Sequence, residues 1–183
     1  MVKPGHSPGF TLLEMIIAIA LISIFLAVTV PRVSRAVRSE AANRKVLFSV
    51  FALSRNDAMR SGEPRFLLVH LDRDDGSTED LSSRSNGISV VAFSPEGSVT
   101  ELPGETFRFR QFNDFFTLTE VINSRGIRVS AGEMMIPLYP DGTSESVLLN
   151  FDGSGGTTSF RIDGASGTLT ELDEIRQNAY VTK

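Results

Sequence analysis

The sequence predicts an α+β fold in which one long N-terminal α-helix packs on an antiparallel β domain built from two sheets. Apolar residues recur at helical spacing to about residue 62, whereas from Pro64 onward they alternate with a period of two. Clusters rich in glycine, aspartate and serine separate the alternating segments, as turns separate strands. One helix followed only by short strands favours α+β over α/β architecture.

Composition narrows the classes of function. The 183 residues carry a net charge of −4, with 41% hydrophobic and 22% charged residues, as in an ordinary folded domain. The absence of cysteine excludes disulfides and thiolate metal sites. A nucleic-acid-binding surface normally brings a basic excess, so nucleic acid is not expected as the main partner. We expect no cofactor and no metal site.

The most apolar part of the chain is the run of residues 10–30. Its 21 residues would extend about 32 Å as a helix, which matches the roughly 30 Å hydrocarbon core of a bilayer. A secretory signal has a shorter apolar core of about 7–15 residues, so we expect a retained transmembrane helix. Lys3 precedes the run, and Arg32, Arg35 and Arg38 follow it. By the positive-inside rule alone, the C-terminal domain would face the cytoplasm.

One carboxylate, Glu14, lies within this apolar run. A charge at such a depth costs about 2.5–3.5 kcal/mol on insertion scales and usually has a dedicated partner. The residues alone leave two interpretations open: the side chain reaches the lipid headgroups, or it pairs with a positive charge at the same depth. Cleavage just before Phe10 would create such a charge, an α-amino group one helical turn from Glu14 in the same chain or in a packed neighbour.

The segment GFTLLEMIIAIALISI resembles the class III signal of type IV pilins and type II secretion pseudopilins. In that family a polar leader ends in glycine, phenylalanine follows, and a glutamate comes four residues later, as Gly9, Phe10 and Glu14 do here. The resemblance implies cleavage between Gly9 and Phe10 by a prepilin peptidase and N-methylation of Phe10. It also implies that Glu14 neutralises the amino group of an adjacent subunit and so sets the register of assembly. Pro31 stands where family members often have a helix-kinking proline.

The residues and the resemblance together divide the chain into four parts. Residues 1–9 are the leader, 10–30 the transmembrane and assembly helix, 31–62 its amphipathic continuation, and 63–183 a β-rich globular domain in the periplasm. The implied location is the bacterial inner membrane, with a single pass and incorporation into the pseudopilus, against the orientation that the arginines predict. The continuation stops at Gly62 and Pro64. Its recurring apolar residues are Val33, Val37, Ala41, Leu47, Val50, Phe51 and Ala58.

The alternating segments beyond Pro64 predict short strands. In chain order these are RFLLVHL, GISVVAFS, ETFRFRQF, FFTLTEV, GIRVS, SVLLNF, TSFRID and GTLTEL. Alternation is clearest in the third, where Phe107, Phe109 and Gln111 would share one face and Arg108 and Arg110 the other.

The helix end LSRNDAMRSGEPRFLLV and the closing LLNFDGSGGTTSFRIDGASGTLTEL resemble the H-type minor pseudopilins, the GspH/FimT-like group. The resemblance implies the pseudopilin fold and a non-enzymatic structural subunit at or near the tip of the type II secretion pseudopilus. Such a subunit helps to initiate assembly and to export folded proteins. The implied partners are the prepilin peptidase, other major and minor pseudopilins, the inner-membrane assembly platform, secreted substrate proteins and membrane lipid.

Two rival functions remain open. The first is a minor type IV pilin of the FimT-like kind, in pilus biogenesis, adhesion or DNA uptake, for which the basic residues of RSEAANRK and TFRFRQF could contact DNA. Exposed helix and strand faces are the favoured interpretation of those residues. The second is an uncleaved, signal-anchored enzyme or binding protein with a cytoplasmic domain.

Three further features favour structural over chemical roles. The acidic residues 72–80 surround Gly76 but lack the spacing of an EF-type calcium loop, so a solvated hairpin tip is favoured over a cation site. Ser154 in DGSGG lacks the preceding glycine of a nucleophile elbow, so we expect a turn. His70 is expected to be a partly buried packing residue on a strand.

Overall fold

The computed structural model describes residues 12–71 and 84–172, with side chains throughout except at residues 28 and 30–36. The chain divides into two compact units between Val37 and Arg38. A single helix, α1, runs from Leu12 to Ser61 and continues through Pro31. Within the described residues, no helical stretch reaches the length and apolarity needed to cross a membrane. The transmembrane interpretation of residues 10–30 therefore stays a prediction.

Helix α1 ends at a glycine and a proline. Gly62 has a φ of +71°, and its N–H donates to the Ala58 carbonyl oxygen at 3.0 Å. This left-handed conformation is one that glycine adopts without a Cβ penalty, and it satisfies one of the carbonyls left free at a helix end. Pro64 follows and cannot continue the helix.

In the described part of the chain, ten strands follow the helix and form two antiparallel sheets, which confirms the predicted α+β fold. The first sheet has the order β3-β2-β1-β7, with β4 also paired to β2, and the second has the order β10-β9-β8-β5-β6. The strands are β1 Arg65–His70, β2 Gly87–Phe93, β3 Val99–Glu101, β4 Arg110–Gln111, β5 Phe116–Asn123, β6 Arg128–Val129, β7 Glu133–Leu138, β8 Val147–Gly153, β9 Gly156–Asp163 and β10 Thr168–Leu172.

The prediction that ETFRFRQF forms a third strand is largely wrong. Gly104 has a φ of +117° and accepts a hydrogen bond from the Phe107 N–H, so a turn replaces most of the strand and only β4 remains. Phe107 packs against the core, whereas Phe109 makes an edge contact with the His70 ring, with the ring centroids 5.0 Å apart. The two phenylalanines therefore do not share a face as the alternation predicts.

Strands β3 and β7 were not predicted from the sequence. Strand β7 contains Pro137, which argues against a central strand but is tolerated at an edge. Strand β7 is such an edge. The Leu71 N–H donates to Gly132 at its start, and hydrogen bonds alternate along an antiparallel pair, so the nitrogen of Pro137 faces away from β1.

The core lies in the second unit and joins the helix to both sheets. Helix α1 contributes Leu47, Val50, Phe51 and Ala58, each no more than 3% exposed. A cluster of phenylalanines from the second sheet and from the segment before β5 lies beside them. Within this cluster, Phe116 is stacked on Phe151 at a centroid distance of 4.2 Å. Its members are Phe112, Phe116, Phe151 and Phe160. Of the predicted apolar helix positions, Val37 and Ala41 are exposed instead.

Candidate assembly site

The predicted processing and assembly residues lie in the N-terminal part of the chain. Gly9 and Phe10 fall outside the described residues, so cleavage and methylation there stay predictions. Glu14 lies in the first turn of α1 and is exposed. Pro31 lies inside the continuous helix, and its side chain is among those not described. The roles assigned to Glu14 and Pro31 also stay predictions.

Every residue from 12 to 27 is exposed, on all sides of the helix. Leu12 is 79% exposed and Phe25 68%, and no apolar residue in this stretch packs into a core of its own unit. The hydroxyls of Ser23 and Thr29 donate to the carbonyls of Ile19 and Phe25, both at 2.8 Å. A helix that is apolar all round is typical of a buried or membrane-embedded element. This stretch, residues 12–27, is the candidate assembly surface.

In the second unit, Glu40 links α1 to the β8–β9 hairpin. The Glu40 carboxylate accepts hydrogen bonds from the Ser154 hydroxyl at 2.7 Å and from the Ser154 N–H at 3.2 Å, and it pairs with Arg44. Arg44 in turn bonds Thr158 at 3.1 Å and forms an ion pair with Glu171 of β10. This Glu40 network therefore connects the helix to the β8–β9 turn and to strands β9 and β10 of the second sheet.

Glu40 is only 7% exposed, yet its pKa lies below its ordinary value. Burial alone would raise the pKa of this carboxyl, but the hydrogen bonds from Ser154 and Arg44 and the charge of Arg44 outweigh that effect. Gly153 leaves the necessary room, since a Cβ there would lie 2.9 Å from Oε1 of Glu40. The Ser154 hydroxyl thus serves a turn contact, in agreement with the turn predicted for DGSGG.

The end of α1 is fastened by Arg55, which belongs to the motif that resembles H-type pseudopilins. Its Nε donates to the Gly142 carbonyl and its Nη2 to the Ser166 carbonyl, both at 3.0 Å. Gly167 packs against the same Gly142 carbonyl so closely that a Cβ would clash with it. The arginine therefore holds two turns of the β domain together.

A buried ion pair lies near the same end of α1. Nε of Arg65 lies 2.8 Å from Oδ2 of Asp57, and the two side chains are 9% and 15% exposed. Hydrogen bonds from Arg65 are the first cause that lowers the pKa of Asp57, against a smaller raising effect of burial. This pair ties the first residue of β1 to the last turn of the helix.

His70 is buried and lies between two polar side chains of its sheet. Its Nδ1 lies 3.0 Å from Oε1 of Glu133, and its Nε2 lies 3.2 Å from Oγ of Ser89. Burial lowers the pKa of His70 below its ordinary value, more than the charge of Glu133 raises it. The structure thus brings a serine and a histidine together, which the sequence did not reveal. Ser89 is fully buried, so its hydroxyl is not accessible to a substrate.

The remaining candidates are a metal site, the acidic residues 72–80 and the basic residues of RSEAANRK and TFRFRQF. Among residues 12–71 and 84–172, no group of three ligating side chains could hold a metal ion. The acidic residues 72–80 lie outside the described part of the chain. Arg44 of RSEAANRK is engaged in the Glu40 network, whereas Arg108 and Arg110 are exposed.

Comparisons with known proteins agree with this architecture. Residues 6–30 match the family model described as the prokaryotic N-terminal methylation motif. The fold is similar to a structure of the minor pseudopilin EpsH from the type 2 secretion system of Vibrio cholerae, with a TM-score of 0.50 and 10% sequence identity over 73% of this chain and 96% of that chain. A crystal structure of the same pseudopilin matches with a TM-score of 0.53 and 11% identity, over 74% of this chain and 94% of that one. No curated protein matches the chain in sequence.

The chain thus combines an N-terminal methylation motif with one helix packed on two antiparallel sheets. Its fold is that of the minor pseudopilins, which confirms the resemblance inferred from the residues.

Proposed function

We propose that this chain is a minor pseudopilin, a structural subunit of a type II secretion pseudopilus at or near its tip, where it helps to initiate assembly and protein export. It is inserted in the bacterial inner membrane with its β domain in the periplasm. A prepilin peptidase removes residues 1–9, and Phe10 is methylated. The chain then assembles with other major and minor pseudopilins on the inner-membrane platform and contacts secreted proteins. It works by assembly and carries no enzymatic activity.

One observation carries this proposal: the candidate assembly surface exposes its apolar residues on every side. Burying a side chain such as Leu13 or Ile22 contributes about 1.5–3 kcal/mol, so a surface of this kind is stable only in lipid or among like helices. A pilin-like subunit occupies both surroundings in turn. The methylation motif, residues 6–30, includes this surface and supports the same sequence of events.

Glu14 supplies the register in this proposal. Its carboxylate pairs with the amino group of Phe10 in a neighbouring subunit. In an apolar bundle, each charge is compensated only when its partner lies at the same axial depth. A shift of one subunit along the axis therefore leaves both charges uncompensated. The pair therefore selects one axial position among many that apolar packing alone would accept.

Mass spectrometry of the native protein tests the processing step. We expect a chain that begins at N-methylated Phe10. Gly9→Val is expected to leave the leader attached, whereas the matched variant Gly5→Ala is cleaved normally. An intact Met1 in the native protein, with a cytoplasmic β domain, contradicts the proposal and favours the anchored enzyme or binding protein.

Fibre incorporation tests the assembly step. Glu14→Leu keeps the helix apolar and is expected to lower incorporation into sheared fibres at least tenfold, because the amino group loses its partner. Met15→Leu, a change of the neighbouring residue with similar volume, is the control and is expected to incorporate normally. Equal incorporation of both variants contradicts the role of Glu14.

A further inference from the structure

One asparagine links the two sheets inside the β domain. Asn86 lies immediately before β2 and is only 7% exposed. Its Oδ1 accepts the Leu118 N–H of β5 at 2.9 Å, and its Nδ2 donates to the Phe116 carbonyl oxygen at 3.3 Å. The Asn86 carbonyl oxygen accepts the Phe112 N–H at 2.7 Å. A side chain at the start of a strand of the first sheet therefore satisfies backbone groups at the start of β5 in the second.

The backbone at Asn86 is left-handed, with a φ of +47°. Among the non-glycine residues that the structure describes, no other has a positive φ. Asparagine is several-fold enriched in this region compared with most residues. It therefore meets two requirements of this position, the backbone conformation and a side chain that both donates and accepts hydrogen bonds.

The next residue, Gly87, is required by the space around it. A Cβ there would lie 2.5 Å from Cε2 of Phe109 and 2.6 Å from the Arg110 carbonyl oxygen, too close for any side chain. The fold thus requires glycine directly after asparagine. In such a dipeptide the asparagine amide is most open to attack by the following backbone nitrogen, because glycine has no side chain to hinder the approach.

That attack would convert the asparagine amide into an acid. The Gly87 nitrogen forms a bond to Cγ of Asn86 and gives up its proton, while the bond from Cγ to Nδ2 breaks and ammonia leaves. Water then opens the resulting succinimide ring at either of its carbonyls, which gives aspartate or isoaspartate. Water is thus the only co-reactant that the conversion requires.

Folding opposes this reaction at both reacting groups. The hydrogen bonds to β5 hold the Asn86 amide toward the second sheet. The Asn86 carbonyl accepts the Phe112 N–H, and backbone groups of successive residues point to opposite sides of a strand. The Gly87 N–H therefore points to the other side, toward β1, where Gly87 is paired with His70. The attacking nitrogen and its target are each held by other partners.

We infer that Asn86 is a deamidation site that the fold keeps unreactive, and that conversion of an unfolded chain at this residue prevents the chain from refolding. An aspartate at this position has only acceptor oxygens, which would face the Phe116 carbonyl oxygen without a donor. A buried and unpaired charge of this kind is strongly disfavoured. An isoaspartate also lengthens the main chain by one methylene and so displaces the start of β2. Unfolding of the β domain therefore becomes irreversible in proportion to the time that the chain spends unfolded.

Peptide mass spectrometry of the full chain in detergent micelles, kept at mildly alkaline pH with or without urea, tests the inference. Asn150, which precedes the bulky Phe151, is the internal control. In urea we expect conversion at Asn86 to be at least tenfold faster than at Asn150. Without urea we expect the rate at Asn86 to fall at least tenfold. Equal rates at Asn86 with and without urea, or equal rates at the two asparagines in urea, overturn the inference.

A destabilised variant tests whether conversion follows unfolding. The reaction is slow compared with folding, so its rate tracks the fraction of chains that are unfolded. Leu47→Ala removes a fully buried side chain and is expected to raise the rate at Asn86 without urea at least fivefold, whereas the exposed Leu21→Ala leaves it unchanged. Ser154→Ala, with a smaller expected loss of stability, replaces Leu47→Ala if that variant does not fold. An unchanged rate in a folded but destabilised variant overturns the inference.

Refolding tests the consequence of conversion. After incubation in urea and dilution, chains converted at Asn86 are expected to be at least fivefold depleted from the refolded, protease-resistant fraction. Unconverted chains in the same sample are the control. Asn86→Asp is expected to show the same loss of refolding without any incubation. Equal recovery of converted and unconverted chains, or normal refolding of Asn86→Asp, contradicts the inferred consequence.

Discussion

The two halves of α1 share one continuous backbone and differ in where their side chains find partners. Residues 12–27 expose apolar side chains on every side. The part of the helix in the second unit buries one stripe and leaves the opposite face exposed, as an amphipathic helix does. That stripe contains two polar residues, Glu40 and Ser54, and each is hydrogen-bonded. The second half is therefore stabilised by contacts with the β domain, whereas the first half leaves its apolar side chains exposed.

The largest expected contrast between the halves comes from truncating one leucine in each. Leu47 is fully buried, so Leu47→Ala is expected to lower the free energy of unfolding of the β domain by about 3 kcal/mol, since it removes apolar contact and leaves a cavity. Leu21→Ala, at a residue 62% exposed, should leave that free energy unchanged. Urea unfolding of the full chain in detergent micelles, followed by circular dichroism, measures both. Equal losses would mean that the first half also packs within the chain.

The Asp57–Arg65 pair tests whether the helix end depends on its buried charges. Asp57→Ala leaves the Arg65 guanidinium buried with Glu63 as its remaining partner, so a loss of about 2 kcal/mol is expected. Asp114→Ala, at an exposed position, is the control and should change stability by less than about 0.5 kcal/mol. A neutral Asp57→Ala would contradict the structural role of the pair.

The Glu40 network makes a smaller contribution, because several of its members are partly exposed. Ser154→Ala removes the 2.7 Å hydrogen bond and is expected to cost about 1 kcal/mol in the same unfolding measurement. Ser98→Ala, in an exposed turn, is the matched control. Combining Ser154→Ala with Glu40→Gln should cost less than the sum of the single changes, because both disrupt one contact. Additive losses would show that the two residues act independently.

The smallest effect expected is a pH dependence confined to the second unit, where every described group with a shifted pKa lies. The pKa of His70 is lowered from its ordinary value of 6.5, so below that pH the unfolded chain binds a proton that the folded chain does not. Stability is therefore complete above about pH 6.5 and declines as the pH falls toward the lowered pKa. A second decline in stability begins below about pH 4.5. There the unfolded chain binds protons at Glu40 and Asp57, whose pKa values are lowered in the folded chain.

Urea unfolding at a series of pH values resolves the two declines. His70→Gln is expected to abolish the first decline and retain the second, whereas Leu21→Ala should retain both. A first decline that persists in His70→Gln would assign it to another group.

Sequence patterns correctly predicted the strands whose side chains alternate regularly between the core and the outside. Strands β1 and β8 alternate between buried and partly exposed residues over most of their length, so period two predicted them. Alternation wrongly predicted a strand at residues 105–112, because it does not detect the turn that starts at Gly104. Strand β7 was not predicted, because Pro137 argues against a central strand and the sequence does not show that β7 lies at an edge.

The candidate site also has one part that the sequence predicts and another that it does not. The motif Gly9–Phe10–Glu14 and the apolar stretch after it can be recognised in the sequence, since each consists of residues close together in the chain. The Glu40 network was not predicted, because Ser154 lies 114 positions away from Glu40 in the chain. His70 was predicted as a packing residue, but its contact with Ser89 depends on the register between β1 and β2.

By itself, the sequence determined that an apolar helix with one acidic residue precedes an antiparallel β domain, because hydrophobic period and turn residues act over a few positions. Only the tertiary structure decided which carboxylates are buried and paired. Those outcomes depend on strand order and register, which bring together residues far apart in the chain.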